Sequence, residues 1–127
     1  MTLSVLVADD SPTVRRLVAA RLAADGHEVI EAEDGEQALA LALSESPAVI
    51  VLDKVMPKLD GFEVVRRLRE REDTRRLPIV MLTDRGGEED VLAGLDLGVN
   101  EYMPKPFSPR ELSVRVKRVL ASTDPGA

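Results

Sequence analysis

The chain reads as an α/β protein built on a parallel sheet. Apolar runs of strand length alternate with segments of helical periodicity, and three of those runs end in oxygen-bearing side chains. The three runs are residues 3–8, 48–52 and 78–82, closed by Asp9-Asp10, Asp53 and Thr83. Near-continuous apolar strands belong to sheets covered on both faces, and parallel strands lying side by side open their carboxyl ends onto one crevice.

Each element follows from its local pattern. After the first run, Ser11 is a suitable N-cap and Pro12 a suitable first helical residue. Val14, Leu17, Val18 and Leu22 then form an apolar face until Gly26 ends the helix. Residues 28–32 read as a short second strand. Asp34-Gly35 reads as a turn, and Ala38, Leu39, Ala42 and Leu43 as the stripe of a second helix leading into the Asp53 strand. Pro57, Asp60 and Gly61 break the chain again, and Phe62, Val65 and Leu68 mark a third helix. After Thr83, Gly86-Gly87 introduces a fourth helix carrying Val91, Leu92 and Leu95 and ending at Gly98. Residues 100–103 read as the last short strand, followed by Lys105. Ser108 and Glu111 have capping-box spacing around Pro109 and open a fifth helix through Leu112, Val116, Val119 and Leu120.

A length of 127 residues fits one domain, expected over residues 1–121 with a polar tail at 122–127. Hydrophobic residues at 44% and charged residues at 31% are an ordinary globular composition. The absence of Cys removes disulfides, thiolate catalysis and zinc–thiolate sites together. Met1-Thr2-Leu3-Ser4 runs straight into a strand, so neither signal peptide nor membrane span is expected and the expected location is cytoplasmic. The net charge of −6 argues against a nucleic-acid surface. Arg66, Arg67, Arg69, Arg71, Arg75 and Arg76 are interleaved with Glu70, Glu72 and Asp73, as on a solvated helix face, and two Phe with one Tyr are too few for base stacking.

The residues at the strand ends suggest chemistry. A carboxylate placed against a phosphoryl donor can form an acyl phosphate, which makes Asp53 the candidate nucleophile. Phosphoryl transfer rests on positioning and on neutralising charge spread over the phosphoryl oxygens, so cations are required. Asp9 and Asp10 are placed to hold a metal, whose charge relieves the repulsion among three carboxylates. With the single His27 far away in sequence and no Cys, a hard, oxygen-ligated Mg²⁺ fits and zinc does not.

Taken together, Asp9-Asp10, Asp53 with Met56-Pro57 and Asp60-Gly61 behind it, Thr83, and Tyr102 with Lys105-Pro106-Phe107 resemble a response-regulator receiver domain, from about Leu3 to Leu120. The resemblance implies a doubly wound, flavodoxin-like (βα)5 fold with five parallel strands in the order 2-1-3-4-5. It implies a bacterial two-component phosphoprotein rather than a metabolic enzyme. Asp53 would be phosphorylated by a sensor histidine kinase or phosphotransfer protein. Asp10 and Asp53 would ligate Mg²⁺ directly, Asp9 through water, and Val55 by its main-chain carbonyl. Lys105 would be the fixed cation on the phosphoryl group, Thr83 a hydroxyl donor to it, and Tyr102 the aromatic that changes rotamer when Thr83 moves.

The switch surface would be the fourth helix, the last strand and the fifth helix, facing an effector or, in a phosphorylation-linked homodimer, a second copy. Arg110, Glu111, Arg115, Arg118, Asp96 and Glu101 supply both signs of charge there. No contact with nucleic acid or membrane is implied. Plainer roles exist for each residue: Asp10 complementing a helix dipole, Thr83 as a strand residue or cap, Lys105 as a loop lysine between Pro104 and Pro106, Tyr102 in the core, and His27 on the surface without a role.

The chain departs from the receiver pattern in places. Val91 stands where the winged-helix subfamily carries a basic residue that pairs with Glu111. Asp84 replaces the usual small residue after the threonine and narrows access. Lys54 and Arg85 are uncommon, and Val55 and Arg85 occupy positions that tune autodephosphorylation. The alternative is a phosphorylation-independent interaction domain, favoured by Asp84. An aspartyl-phosphate hydrolase would need a second acid at Val55 and a cap domain, and a dinucleotide site would need G-x-G-x-x-G after the first strand.

Overall fold

The computed structural model describes residues 3–84, 92 and 96–122. Its elements are β1 (Ser4–Ala8), α1 (Pro12–Ala24), β2 (Glu28–Ala32), α2 (Gly35–Glu45), β3 (Val49–Asp53), α3 (Gly61–Glu70), β4 (Ile79–Asp84), β5 (Glu101–Lys105) and the C-terminal helix α4 (Pro109–Ser122). All strand pairs are parallel and the sheet order is β2-β1-β3-β4-β5.

The period of two along each strand divides the core. Leu6, Ala8, Ile50, Leu52, Ile79 and Met81 face one side, where they pack against Ala38 and Ala42 of α2 and Val64, Val65 and Leu68 of α3. Val5, Val7, Val49, Val51, Val80 and Leu82 face the other, against Val18 and Leu22 of α1 and Leu112, Val116 and Val119 of α4. The central strands are therefore buried on both faces, which is why their sequences are unbroken apolar runs.

Helix ends obey the expected chemistry. The Ser11 hydroxyl accepts from the Val14 N–H, Asp34 caps α2 through the Gln37 N–H, Asp60 caps α3 through the Glu63 N–H, and Ser108 accepts from the Glu111 N–H. On α3 the pairs joining Glu63, Arg66, Arg67 and Glu70 are exposed and screened by solvent, so they add little. Burying Val64, Val65 and Leu68 contributes roughly 1.5–3 kcal/mol per side chain, so packing holds this helix.

Several expectations need correction. Leu17 is 54% exposed, while Arg15 and Ala19 are buried beside Val18 and Leu22. The helix turns about 100° per residue, and Leu17 falls outside the face that Val18 and Leu22 define. Asp34-Gly35 is not a free turn: Gly35 is the first residue of α2, and a Cβ there would lie 1.8 Å from the Leu59 carbonyl oxygen.

The last strand runs to Lys105 instead of stopping at Met103, with Thr83 opposite Pro104 and Asp84 opposite Lys105. β5 is an edge strand, where a proline's missing N–H leaves no partner unmet. Of the fourth predicted helix, Leu92 and Asp96 are described and helical, and Leu92 is exposed rather than core-facing. Arg85, Gly86, Gly87, Val91 and Leu95 lie outside the described residues, as do residues 123–127.

Candidate functional site

Parallel register assembles the site from strand ends. Ala8 pairs with Leu52, so the next residue on each strand, Asp9 and Asp53, emerge abreast at the carboxyl edge. Asp53 in turn pairs with Leu82, which places Thr83 one step further along β4, and Lys105 closes β5. Asp9, Asp10 and Asp53 each bring a carboxylate oxygen within 4.8 Å of the others. Lys105 Nζ lies 3.2 Å from Asp53 Oδ2 and 3.5 Å from Asp9 Oδ2. The Lys105–Pro106 peptide is cis.

The crevice is dry on one side and open on the other. Asp9 and Asp53 are buried and Asp10 is exposed. Burial, and then the neighbouring Asp9 carboxylate, push the Asp53 carboxyl up from 3.8 to about 6. The Lys105 ammonium and a main-chain hydrogen bond from Val55 pull in the opposite direction. Asp9 is held by the Ser11 N–H, which donates to its Oδ1 at 2.9 Å.

Three carboxylates balanced by one lysine, with an open side beyond Asp10, suit a hard divalent cation that keeps several waters. No nitrogen or sulfur ligand joins the cluster among the described residues. Asp10, Asp53 and Asp9 could hold such an ion by their carboxylates, and the exposed Val55 adjoins them by its main chain.

The remaining candidates are placed less directly. Thr83 is buried at the end of β4, and Tyr102 is half-buried on the α2/α3 side of the sheet. The Lys54 ammonium sits 5.5 Å from the centre of the Phe62 ring, so it turns onto α3. Asp84 closes β4 in the main chain, while its side chain lies outside what the structure describes. His27 is half-buried, with its Nε2 enclosed and no hydrogen-bond partner for it among the described residues, not a plain surface residue.

One residue near the site escaped the sequence reading. Arg15 reaches back from α1 and its Nη1 donates to the Asp9 carbonyl at 3.0 Å. A signal was available: Arg15 occupies the same helical face as Val18 and Leu22, where an apolar residue belongs.

Comparison with known proteins places this arrangement. The family model described as "Response regulator receiver domain" matches residues 5–117. The chain is 45% identical over 120 residues to the probable transcriptional regulator ycf27 of Cyanophora paradoxa, covering 94% of this chain and 49% of that protein. It is 42% identical over 123 residues to the phosphate regulon transcriptional regulatory protein PhoB of Pseudomonas aeruginosa, covering 97% and 54%. The chain thus spans about half the length of these curated relatives. Among solved structures it resembles the receiver domain of sensor histidine kinase PA1611 from P. aeruginosa, described with a magnesium ion coordinated in the active site cleft. That match has a TM-score of 0.87 at 31% identity over 95% of this chain and 99% of that one.

Proposed function

This chain belongs to the response regulator receiver domain family of two-component systems, and from that premise we propose that it takes a phosphoryl group onto Asp53 and relays the event to an effector. The observation that carries the proposal is the juxtaposition of Asp53 with Asp9, Asp10 and Lys105 at one edge of the sheet.

With its carboxyl at about 6, Asp53 is largely ionised at neutral pH and can act as the nucleophile. Its oxygen forms the new bond to phosphorus as the bond from phosphorus to the donor's leaving group breaks. The donor is a phosphohistidine of a sensor kinase or phosphotransfer protein. Asp9, Asp10 and Asp53 would hold a Mg²⁺ ion, which when bound would neutralise charge on the phosphoryl group.

Lys105 exchanges its contact with the carboxylates for one with the new phosphoryl oxygens, and Thr83 turns its hydroxyl to the same group. Because Thr83 and Lys105 sit on β4 and β5, that pull biases Tyr102 and the neighbouring helical segment between two states. The chain acts as a cytoplasmic phosphoacceptor, not as a metabolic enzyme. No helix among the described residues is long and apolar enough to cross a membrane.

Intact mass after incubation with Mg²⁺ and acetyl phosphate, beside Asp53→Asn, tests the proposal. One phosphoryl group on the parent and none on the variant is the expected result. No adduct on the folded parent, with the donor varied, would replace this reading with a phosphorylation-independent interaction domain.

A further inference from the structure

We infer that Arg15, braced by Glu31, is a positioning residue for the metal site, acting through the main-chain carbonyl of Asp9; the inference rests on the Mg²⁺ reading above. Arg15 is 7% exposed on the core face of α1. A guanidinium in such a place costs stability unless its donors are met. Two acceptors engage it. Arg15 Nε donates to Glu31 Oε1 at 3.0 Å, and Nη1 donates to the Asp9 carbonyl oxygen at 3.0 Å. Glu31 sits on the edge strand β2, so the guanidinium ties helix and sheet edge to one peptide unit.

That peptide unit is the one joining Asp9 to Asp10. The Asp9 N–H donates to the Ala32 carbonyl at 3.2 Å, its Oδ1 accepts from Ser11, and its Oδ2 lies by Lys105, so Asp9 is held from every side. Asp10 differs. Its side chain is exposed, and among the described residues no hydrogen bond or ion pair engages its carboxylate. The direction of that carboxylate therefore depends on the main chain entering Asp10, whose carbonyl Arg15 pins. Groups that orient metal ligands from behind typically change metal affinity ~10–100-fold when removed.

Charge and position predict opposite signs, which makes the inference testable. Removing a cation beside three carboxylates would tighten Mg²⁺ binding if Arg15 acted only through its field. Releasing the Asp9 carbonyl would loosen Asp10 and weaken it. Calorimetric titration of Mg²⁺ into the full chain, without phosphodonor, separates the two. Arg15→Ala is expected to raise the Mg²⁺ dissociation constant about tenfold. Arg15→Lys, whose single ammonium reaches one of the two acceptors, should weaken binding less. Glu31→Gln keeps an oxygen acceptor and should stay near the parent, whereas Glu31→Ala should shift toward Arg15→Ala.

In parallel, phosphorylation by acetyl phosphate should need more Mg²⁺ for half-maximal rate in Arg15→Ala, with the rate at saturating Mg²⁺ restored. Unchanged or tighter Mg²⁺ binding in Arg15→Ala overturns the inference. If circular dichroism shows that variant unfolded, unchanged binding in both Arg15→Lys and Glu31→Ala overturns it instead. A parent chain that takes up no Mg²⁺ overturns the metal reading itself and this inference with it.

Discussion

Asp53 carries its charge against its surroundings, and that has a measurable cost. Burial and the Asp9 carboxylate push its carboxyl from 3.8 to about 6. In the metal-free chain the folded state therefore holds a proton that the unfolded state has released, between about pH 4 and pH 6. The stabilising contribution is fully present below about pH 4 and is lost as pH rises through about 6. Asp53→Asn removes the like charge, so urea unfolding in chelator at about pH 7.5 should find the variant more stable by roughly 1–3 kcal/mol, with the gap closing near pH 4. Equal stability of the two proteins at both pH values would contradict this account. The acidic members of the site were legible in the sequence because each follows an apolar run, and a charge at the end of such a run is delivered to the sheet edge by the run itself. Arg15 stood out only as a charge on an apolar stripe; its partner was not legible, since such a charge looks the same whether it meets water or a buried carbonyl.

At the scale of elements, the site is shaped by how closely α3 and α2 press on the strand ends. The Gly61 N–H donates to the Lys54 carbonyl at 2.7 Å, and a Cβ on Gly61 would lie 2.5 Å from the Asp53 carbonyl oxygen. That contact is backbone against backbone, so neither side can yield as a flexible side chain would. Gly61→Ala is expected to destabilise the fold by about 1–3 kcal/mol or more, and to slow phosphorylation of the folded fraction, because Asp53 must shift to make room. Gly26→Ala is the control: its φ of +96° costs the variant about 1 kcal/mol, while open space around it leaves phosphorylation unchanged. Urea denaturation beside intact-mass kinetics reads both, and an unaltered rate in Gly61→Ala would break the link from α3 to Asp53. Far from the site, Arg69 ties α3 to the segments that lead into β4 and β5, with Nη1 donating to the Leu77 carbonyl at 2.8 Å and Nη2 to the Gly98 carbonyl at 2.7 Å. The caps at Ser11 and Ser108 were legible, because each acts within one turn, whereas Asp34 and Asp60 read only as a turn and a break and prove to cap α2 and α3. The Gly35 and Gly61 contacts were not legible, since each joins residues that only the packed helices bring together.

For the whole molecule, the charged face expected to meet a second copy is already paired within one chain. Arg115 lies 3.5 Å from Glu101 and 3.2 Å from Glu111, and Arg118 lies 3.5 Å from Glu101. A dimer through this face would trade these pairs for similar ones, gaining little net energy. Sedimentation velocity of the phosphorylated chain should show weak association at about 0.05 M salt that disappears at about 0.5 M. A salt-resistant dimer would mean that apolar contact holds the face. The sequence by itself determined the α/β class, the parallel sheet and the acidic edge, because strand burial, helix periodicity and caps are local and each leaves a mark within a few residues. The strand order was anticipated by resemblance, and the structure shows that order. Tertiary structure alone decided that β5 reaches Lys105, that Lys54 turns onto Phe62 while Lys105 turns to Asp53, and that Arg15 meets the Asp9 carbonyl. Those outcomes depend on distances between residues far apart in the chain, and a desolvated charge is priced by neighbours that only the folded state supplies.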